Sequence, residues 1–419
     1  MVFIAAFVAV VFLYSLVSRR LEKTILTAPI LFTVAGALTN FLPGAMGDFL
    51  LDKPRLLLIA ELGLVMTLFT DASRIGLQML KGNANLPVRL LSTGMLLTIA
   101  LGALCGVVVL GQLSWWEACI LAAILAPTDA GLGEVIVTSP RVPQRIREAL
   151  NVEAGLNDGL AVPFLMFFIA LAAVQEEGMG IEGVLMQFLV EQLGYGTLIG
   201  LAVGLAGGWL LGLARRRQWM DGPMAQLGVL ALPLACVLAS ETAHASMFIA
   251  AFVAGLAVQA GFREVGRHSV EFAEDWGRLF DFFIFFVFGL LAARTLADFT
   301  VAIVLYGALS LTLIRMLPVA IALRGTGLSR QTVLFVGWFG PRGLASIVLG
   351  LVYLEAESKL AGEPTIRLAV IATVLLSIFV HGLSAVPGIN RYASAVAAMD
   401  KDAPEHLVID DDKAGAGST

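Results

Sequence analysis

Apolar residues fill this chain in runs of about 20, each closed by charged or turn-forming residues, and about 20 is the length an α-helix needs to cross a bilayer. Thirteen runs are read, at roughly 2–18, 24–43, 55–73, 87–111, 115–138, 147–174, 186–213, 225–241, 243–260, 272–296, 299–323, 329–356 and 366–387. The pattern predicts an all-α polytopic membrane protein, with the membrane part over 1–390 and a polar, disordered tail over 391–419. A cleaved signal peptide is the rival reading of the first run. Its charges follow the apolar stretch instead of preceding it, and no A-x-A site comes after.

Two runs are interrupted at their middle. The fifth contains "ILAPTDAGLG", Ile124 to Gly133, in which Pro127 removes a donor and Gly131 and Gly133 relax the chain. Every backbone polar group needs a partner in hydrocarbon, so such a break survives only where protein or a water-lined cavity surrounds it. Thr128 and Asp129 sit where the helix opens. Asp129 has two readings: a cap on the second half-helix, or a group in an ion pathway, since a mid-bilayer carboxylate costs about 2.5–3.5 kcal/mol on insertion scales. The twelfth run, "FVGWFGPRGLASIVLG", repeats the feature with Pro341, Arg342 and Gly343. Seven spans separate the two breaks, and an odd separation inverts topology. Spans 1–6 and 8–13 then read as inverted repeats whose broken helices cross near the midplane, with Asp129 and Arg342 neutralising the half-helix ends.

Composition sharpens the setting. Of 419 residues 58% are apolar and 14% charged, with mean hydropathy +0.89, far from soluble domains. Basic residues set the orientation: Arg19, Arg20 and Lys23; Arg74 and Lys81; Arg141, Arg145 and Arg147; Arg215, Arg216 and Arg217; Arg263 and Arg267; Arg324 and Arg330 all follow odd-numbered spans. Only Lys53, Arg55, Arg294, Lys359 and Arg367 fall in the alternate loops, so the positive-inside rule puts the N-terminus outside and the C-terminus in the cytoplasm. Cys105, Cys119 and Cys236 lie in apolar runs and read as packed thiols. No nucleotide-binding loop, HExxH motif or basic nucleic-acid patch is present, which leaves phosphate-driven pumping, metalloprotease chemistry and nucleic-acid binding without their parts.

Span 6 opens "REALNVEAGLNDGLAVPFLMFF". At 100° per residue Glu153 and Asn157 share a face, while Asp158 points about 100° away. Glu153 is placed to pair with Arg342, since two unpaired buried charges would be costly. Asp158 lies eleven residues after Arg147 with no evident cation, the situation in which a carboxyl can hold a proton or trade it for a cation near neutral pH. Other polar residues within spans are open to two readings. Glu61 is either a second site or simply hydrogen-bonded, and Asp281 is a second site or a local partner of Arg278. Asp71 and Arg74 read as a local pair at the interface. His244 and His381 are pH sensors or packing residues.

The stretches "APTD", "VEAGLNDG", "ETAHASMFIAAFVAGL" and "GWFGPRGLAS" occur in this order, and together they resemble the sodium/proton exchanger and bacterial cation/proton antiporter superfamily, in its Asn-Asp branch. The likeness covers most of residues 20–390; Pro341 and Ala154 are positions where relatives often differ. The resemblance implies a thirteen-helix inverted-repeat fold in the cell (inner) membrane, with a six-helix core over approximately 87–174 and 299–387 moving against a dimerisation scaffold, as a homodimer. It implies a transporter, not an enzyme, that exchanges Na⁺ or Li⁺, with K⁺ the alternative, for H⁺ without a cofactor. Asp158 would bind Na⁺ or the proton with Asn157 as its partner, Thr128 and Asp129 would be the contacts from the unwound helix, and Glu153 with Arg342 the structural ion pair. One carboxylate in the Asn-Asp pair further implies electroneutral one-for-one exchange. Two other classes use the same residues differently. An intramembrane aspartyl protease would share a proton between Asp129 and Asp158, although Glu134 stands where its Gly-x-Gly-Asp motif needs aspartate. A channel would leave the paired broken helices without a purpose.

Overall fold

Six helices begin where a side chain closes the first turn. Ser114, Asp129, Asp221, Ser246, Thr300 and Ser329 each accept a hydrogen bond from a backbone amide of the helix that follows. The computed structural model describes residues 2–21, 24–41, 53–74, 85–177, 183, 186, 188–262, 268–355, 360–400 and 402–406, with the backbone alone over 53–56, 175–177, 268–276 and 355. Lys23, Lys81, Arg263, Arg267 and Lys359, used above for orientation, lie outside the described residues.

In chain order the helices are α1 (Val2–Leu21), α2 (Ala28–Leu38), α3 (Lys53–Arg74), α4 (Asn85–Leu110), α5 (Trp115–Ile124), α6 (Ala130–Val137), α7 (Gln144–Glu177), α8 (Phe188–Arg216), α9 (Gly222–Thr242), α10 (Met247–Gly261), α11 (His268–Thr295), α12 (Val301–Ala322), α13 (Arg330–Trp338), α14 (Leu344–Glu355) and α15 (Glu363–Ala397). Among the described residues eight are long and apolar enough to cross a membrane, and shorter apolar helices accompany them. The interruptions read from the sequence separate α5 from α6 and α13 from α14. Two π-helical stretches, Leu90–Gly94 in α4 and Phe188–Tyr195 in α8, had no signature in the hydrophobic pattern. The last helix runs past 391 to Ala397, and residues 404–406 form a 3₁₀ turn; 407–419 lie outside the described residues.

Small residues set the closest packing. Gly200, Gly204, Gly208 and Gly212 form one stripe on α8 that meets the backbone of α10, where an added Cβ would strike the carbonyls of Ala250, Ala254, Val258 and Gly261. Such stripes let helices approach when lipid offers no hydrophobic drive between them. α10 also packs on α3, and α2 on α11, where Phe32 stacks on Phe282 at 4.4 Å. A separate set of contacts joins α4 to α5, α5 to α7, and α12 to α15. At the end bearing the basic loops, a second apolar cluster gathers Leu90, Ile136, Ile146, Val319, Phe335 and Tyr392. It anchors the starts of α7 and α13 and the ends of α6, α12 and α15.

Candidate functional site

The two breaks cross and bond to each other directly. The Asp129 amide donates to the Pro341 carbonyl at 2.8 Å. Around this contact three of the four half-helix ends meet a charge of the opposite sign. Asp129 is the N-cap of α6, its Oδ1 accepting from the Leu132 amide at 2.8 Å. Its Oδ2 accepts from the Leu344 amide, the first of α14, so one carboxylate closes two positive helix ends. Gly343 is required for this approach, since a Cβ there would occupy the position of Asp129 Oδ2. Arg342, fully buried, turns the other way: its Nη1 donates to the Ala126 and Pro127 carbonyls at 2.6 and 2.9 Å, beyond the C-terminal end of α5.

The end of α13 is closed differently. The Trp338 carbonyl can only accept, so His381 Nε2, 2.9 Å away, carries the proton. His381 Nδ1 lies 3.1 Å from both the hydroxyl and the carbonyl of Ser377, and that hydroxyl accepts from the Arg342 amide at 2.7 Å. Both ring nitrogens are thus engaged in holding the crossing.

The expected Glu153–Arg342 pair is not what forms. With the Arg342 guanidinium turned to carbonyls of the first break, Glu153 takes Arg315 of α12, Nη1 to Oε1 at 2.5 Å and Nη2 to Oε2 at 2.9 Å. Both side chains are 3% exposed. Gly340 makes room, since a Cβ there would strike Arg315 Nε. Sequence reasoning passed over Arg315 because it stands alone in "LTLIRMLPVA", inside an apolar run that was counted as a span. A lone arginine there was itself the missed signal, because a buried guanidinium demands an acid.

Asn157 and Asp158 diverge as the helical rotation requires. Asn157 Nδ2 donates to Thr128 Oγ1 at 2.6 Å, which ties α7 to the first break. Asp158 is 7% exposed, and its Oδ1 is buried with no hydrogen-bond partner among the described residues; the same holds for Asn157 Oδ1. Gly159 beside it leaves room for the Phe252 ring of α10. The acids whose charge bears on Asp158 are Asp71 of α3, Asp129, and Asp281 of α11. Asp71 thus also belongs to the surroundings of Asp158. Glu61 lies half-buried ten residues before it on α3, about 15 Å along the helix. Arg278, one turn before Asp281, reaches to Glu134 of α6 at 3.0 Å. A small pocket lined by Thr128, Asp129, Asn151, Ala154, Phe339 and Pro341 reaches the break from the end where α6 and α7 meet their loop.

Two broken helices that cross, with three of their ends matched by charge and a carboxyl oxygen beside them that has no hydrogen-bond partner among the described residues, define the architecture of a secondary transporter. A shared-proton dyad does not fit, because both oxygens of Asp129 are held by backbone amides. The chain belongs to the transmembrane sodium/hydrogen exchanger family, whose model matches residues 2–390. It is 27% identical over 391 residues to the K⁺/H⁺ antiporter NhaP of Alkalimonas amylolytica, covering 91% of this chain and 65% of that one. It is 26% identical over 304 residues to a Na⁺/H⁺ antiporter of Schizosaccharomyces pombe, covering 65% of this chain and 64% of the other. The chain thus spans just under two thirds of the length of these relatives. Its fold is similar to that of the sodium proton antiporter MjNhaP1 of Methanocaldococcus jannaschii, with TM-score 0.72, 22% identity, and 94% and 99% of the two chains covered.

Proposed function

We propose that this protein is a secondary antiporter that exchanges Na⁺ or Li⁺ for H⁺, one for one, with Asp158 as the shared site. The observation that carries the reading is the buried Asp158 Oδ1, without a hydrogen-bond partner among the described residues, one residue after an Asn157 committed to the broken helix. A buried carboxylate among other acids, without a bonded partner, gains most from binding a proton or a cation. Asp158 loses its proton on one side and takes up a cation, with Thr128 and Asn157 oxygens and backbone carbonyls of the break available as further ligands; hard alkali cations favour such oxygen sets. The six spans formed by α4 to α7 and α12 to α15 carry the site past the remaining helices and return protonated. No resident cofactor is needed, since the cation and the proton are the substrates. In this reading thirteen spans place the basic loops and the C-terminus in the cytoplasm of a homodimer in the cell membrane. A K⁺/H⁺ exchanger is the second reading, favoured by the name of the relative that covers 91% of this chain.

The test is exchange by the purified protein in lipid vesicles, with Na⁺, Li⁺ and K⁺ gradients imposed in turn. Proton flux should follow Na⁺ or Li⁺, and Asp158→Asn should abolish it while the protein inserts normally. Exchange retained above about a tenth of wild type would reject Asp158 as the carrier, since a tenfold loss corresponds to only about 1.4 kcal/mol of barrier. Flux driven by K⁺ alone would select the second reading.

A further inference from the structure

The two broken helices start in different ways. α5 opens with a capping box: Ser114 Oγ accepts from the Glu117 amide, and Glu117 Oε2 accepts from the Ser114 amide at 2.7 Å. The second oxygen of Glu117 accepts from the Gly362 amide at 2.6 Å, immediately before α15. One buried glutamate thus closes the first broken helix and ties it to the start of α15.

α13 opens with Ser329, Arg330, Gln331 and Thr332, a serine N-cap with threonine where the box needs a glutamate. Threonine is too short to reach back to the Ser329 amide. Glu405 supplies the carboxylate from beyond the last helix: its Oε1 accepts from the Ser329 amide at 2.8 Å and the Thr332 hydroxyl at 2.7 Å. The residue is 2% exposed. Beside it the Pro404 carbonyl accepts from Arg145 Nη1 at 2.7 Å, and Arg145 belongs to the first turn of α7. Under the inverted repeat α7 corresponds to α15. Residues 404 and 405 therefore do for the second broken helix and α7 what Glu117 alone does for the first and α15.

We propose that Glu405 is a positioning residue for transport, which completes the cap of α13 and ties it to the helix carrying Asp158, so that turnover depends on docking of the C-terminal segment. The inference rests on the antiport reading. α13 has nine residues, too few to hold its first turn without end contacts, and it leads directly into the break that contributes Pro341 and Arg342. A frayed start lets that break shift against Asp129. Glu405 does not touch the ion site, so the effect falls on turnover and not on cation affinity.

The experiment compares full-length protein with Glu405→Gln, Glu405→Asp, a stop after Lys401, and the same truncation carrying Thr332→Glu, which writes a capping box into α13 itself. Each is reconstituted for exchange rates, and amide hydrogen exchange is followed over 329–333. Glu405→Gln and the truncation should lower turnover about fivefold, with half-saturating cation within about twofold. Amides of Ser329 and Thr332 should exchange about tenfold faster. Glu405→Asp and the Thr332→Glu chain should recover part of both. Wild-type turnover in the truncated chain would overturn the proposal, and so would unchanged amide protection over 329–333 in that chain. If wild-type protein shows no antiport, the antiport reading fails, while the amide data still report on docking by themselves.

Discussion

Neutralising either member of the Glu153–Arg315 pair should be among the most damaging single changes in the molecule. Both side chains are 3% exposed, and the two hydrogen bonds are bidentate at 2.5 and 2.9 Å. Either substitution forfeits two charge-assisted bonds, worth about 1.5–3 kcal/mol each, and strands the other charge in a dry interior. Breaking such a pair costs about 3–5 kcal/mol. Removing both members leaves no stranded charge, so Glu153→Gln with Arg315→Gln should cost less than the sum, by a coupling of about 2–3 kcal/mol. Unfolding of purified protein in mixed detergent, followed by tryptophan fluorescence, measures the four corners of this cycle. Glu153 and Arg342, run as a control cycle, should couple more weakly, because the Arg342 bonds go to Ala126 and Pro127. Additivity within about 0.5 kcal/mol for Glu153 and Arg315 would refute the argument.

Three further outcomes follow from the geometry. Gly343→Ala should displace the Asp129 carboxylate, whose Oδ2 occupies the position the new methyl needs; a stability loss of about 1–3 kcal/mol is expected, together with impaired exchange, and wild-type values for both would contradict the double cap. His381→Ala should leave the Trp338 carbonyl without its ring donor and lower stability by about 1–3 kcal/mol, as read by the same unfolding assay. Burial pushes the Glu405 carboxyl up, but hydrogen bonds from the Ser329 amide and the Thr332 hydroxyl outweigh it and hold the group below its ordinary 4.5. Its contribution is therefore full above pH 4.5 and is lost as pH falls through the lower folded value; Arg145 on α7 and Tyr392 on α15 are the ionisable neighbours. Melting of wild type and Glu405→Gln should differ at neutral pH and converge in acid, and a constant difference would argue against the carboxylate.

The breaks were legible because backbone chemistry is local. Proline removes a donor wherever it sits, and Pro127 and Pro341 with their neighbouring glycines announce two openings in otherwise continuous spans. The Asn157–Thr128 contact lies on the face that helical rotation assigns. Ion-pair partners are another matter. Arg315 is 162 positions from Glu153, and periodicity says which way a side chain points, not which of two buried arginines will be spent on carbonyls first. Glu405 was concealed for the opposite reason: it lies in a polar stretch whose composition reads as disorder, and only the missing glutamate at Thr332 hints that a carboxylate must arrive from elsewhere. Arg278 shows the same limit, since its contact with Glu134 comes from another helix and 144 positions away.

The proton count depends on how the acids near Asp158 are occupied. Asp129 is the acid most able to break one-for-one exchange, since it stands in the same break as Thr128. Its two oxygens accept from the first amides of two helices, and helix N-termini favour the ionised form. Protonating Asp129 would weaken both caps at once and loosen the crossing on which the site depends. In the one-for-one reading this carboxylate stays a fixed charge, like the guanidinium of Arg342 against the opposite end. If only Asp158 cycles, its proton-loaded and cation-loaded forms carry the same charge, and transport moves none. In the one-for-one reading Asp71 and Asp281 act on Asp158 through their charge alone, and neither releases a proton. Exchange in vesicles clamped at several membrane potentials tests this directly. Each net charge moved is worth about 2.3 kcal/mol per 100 mV, so a reversal point that shifts with voltage would mean a second acid titrates in the cycle.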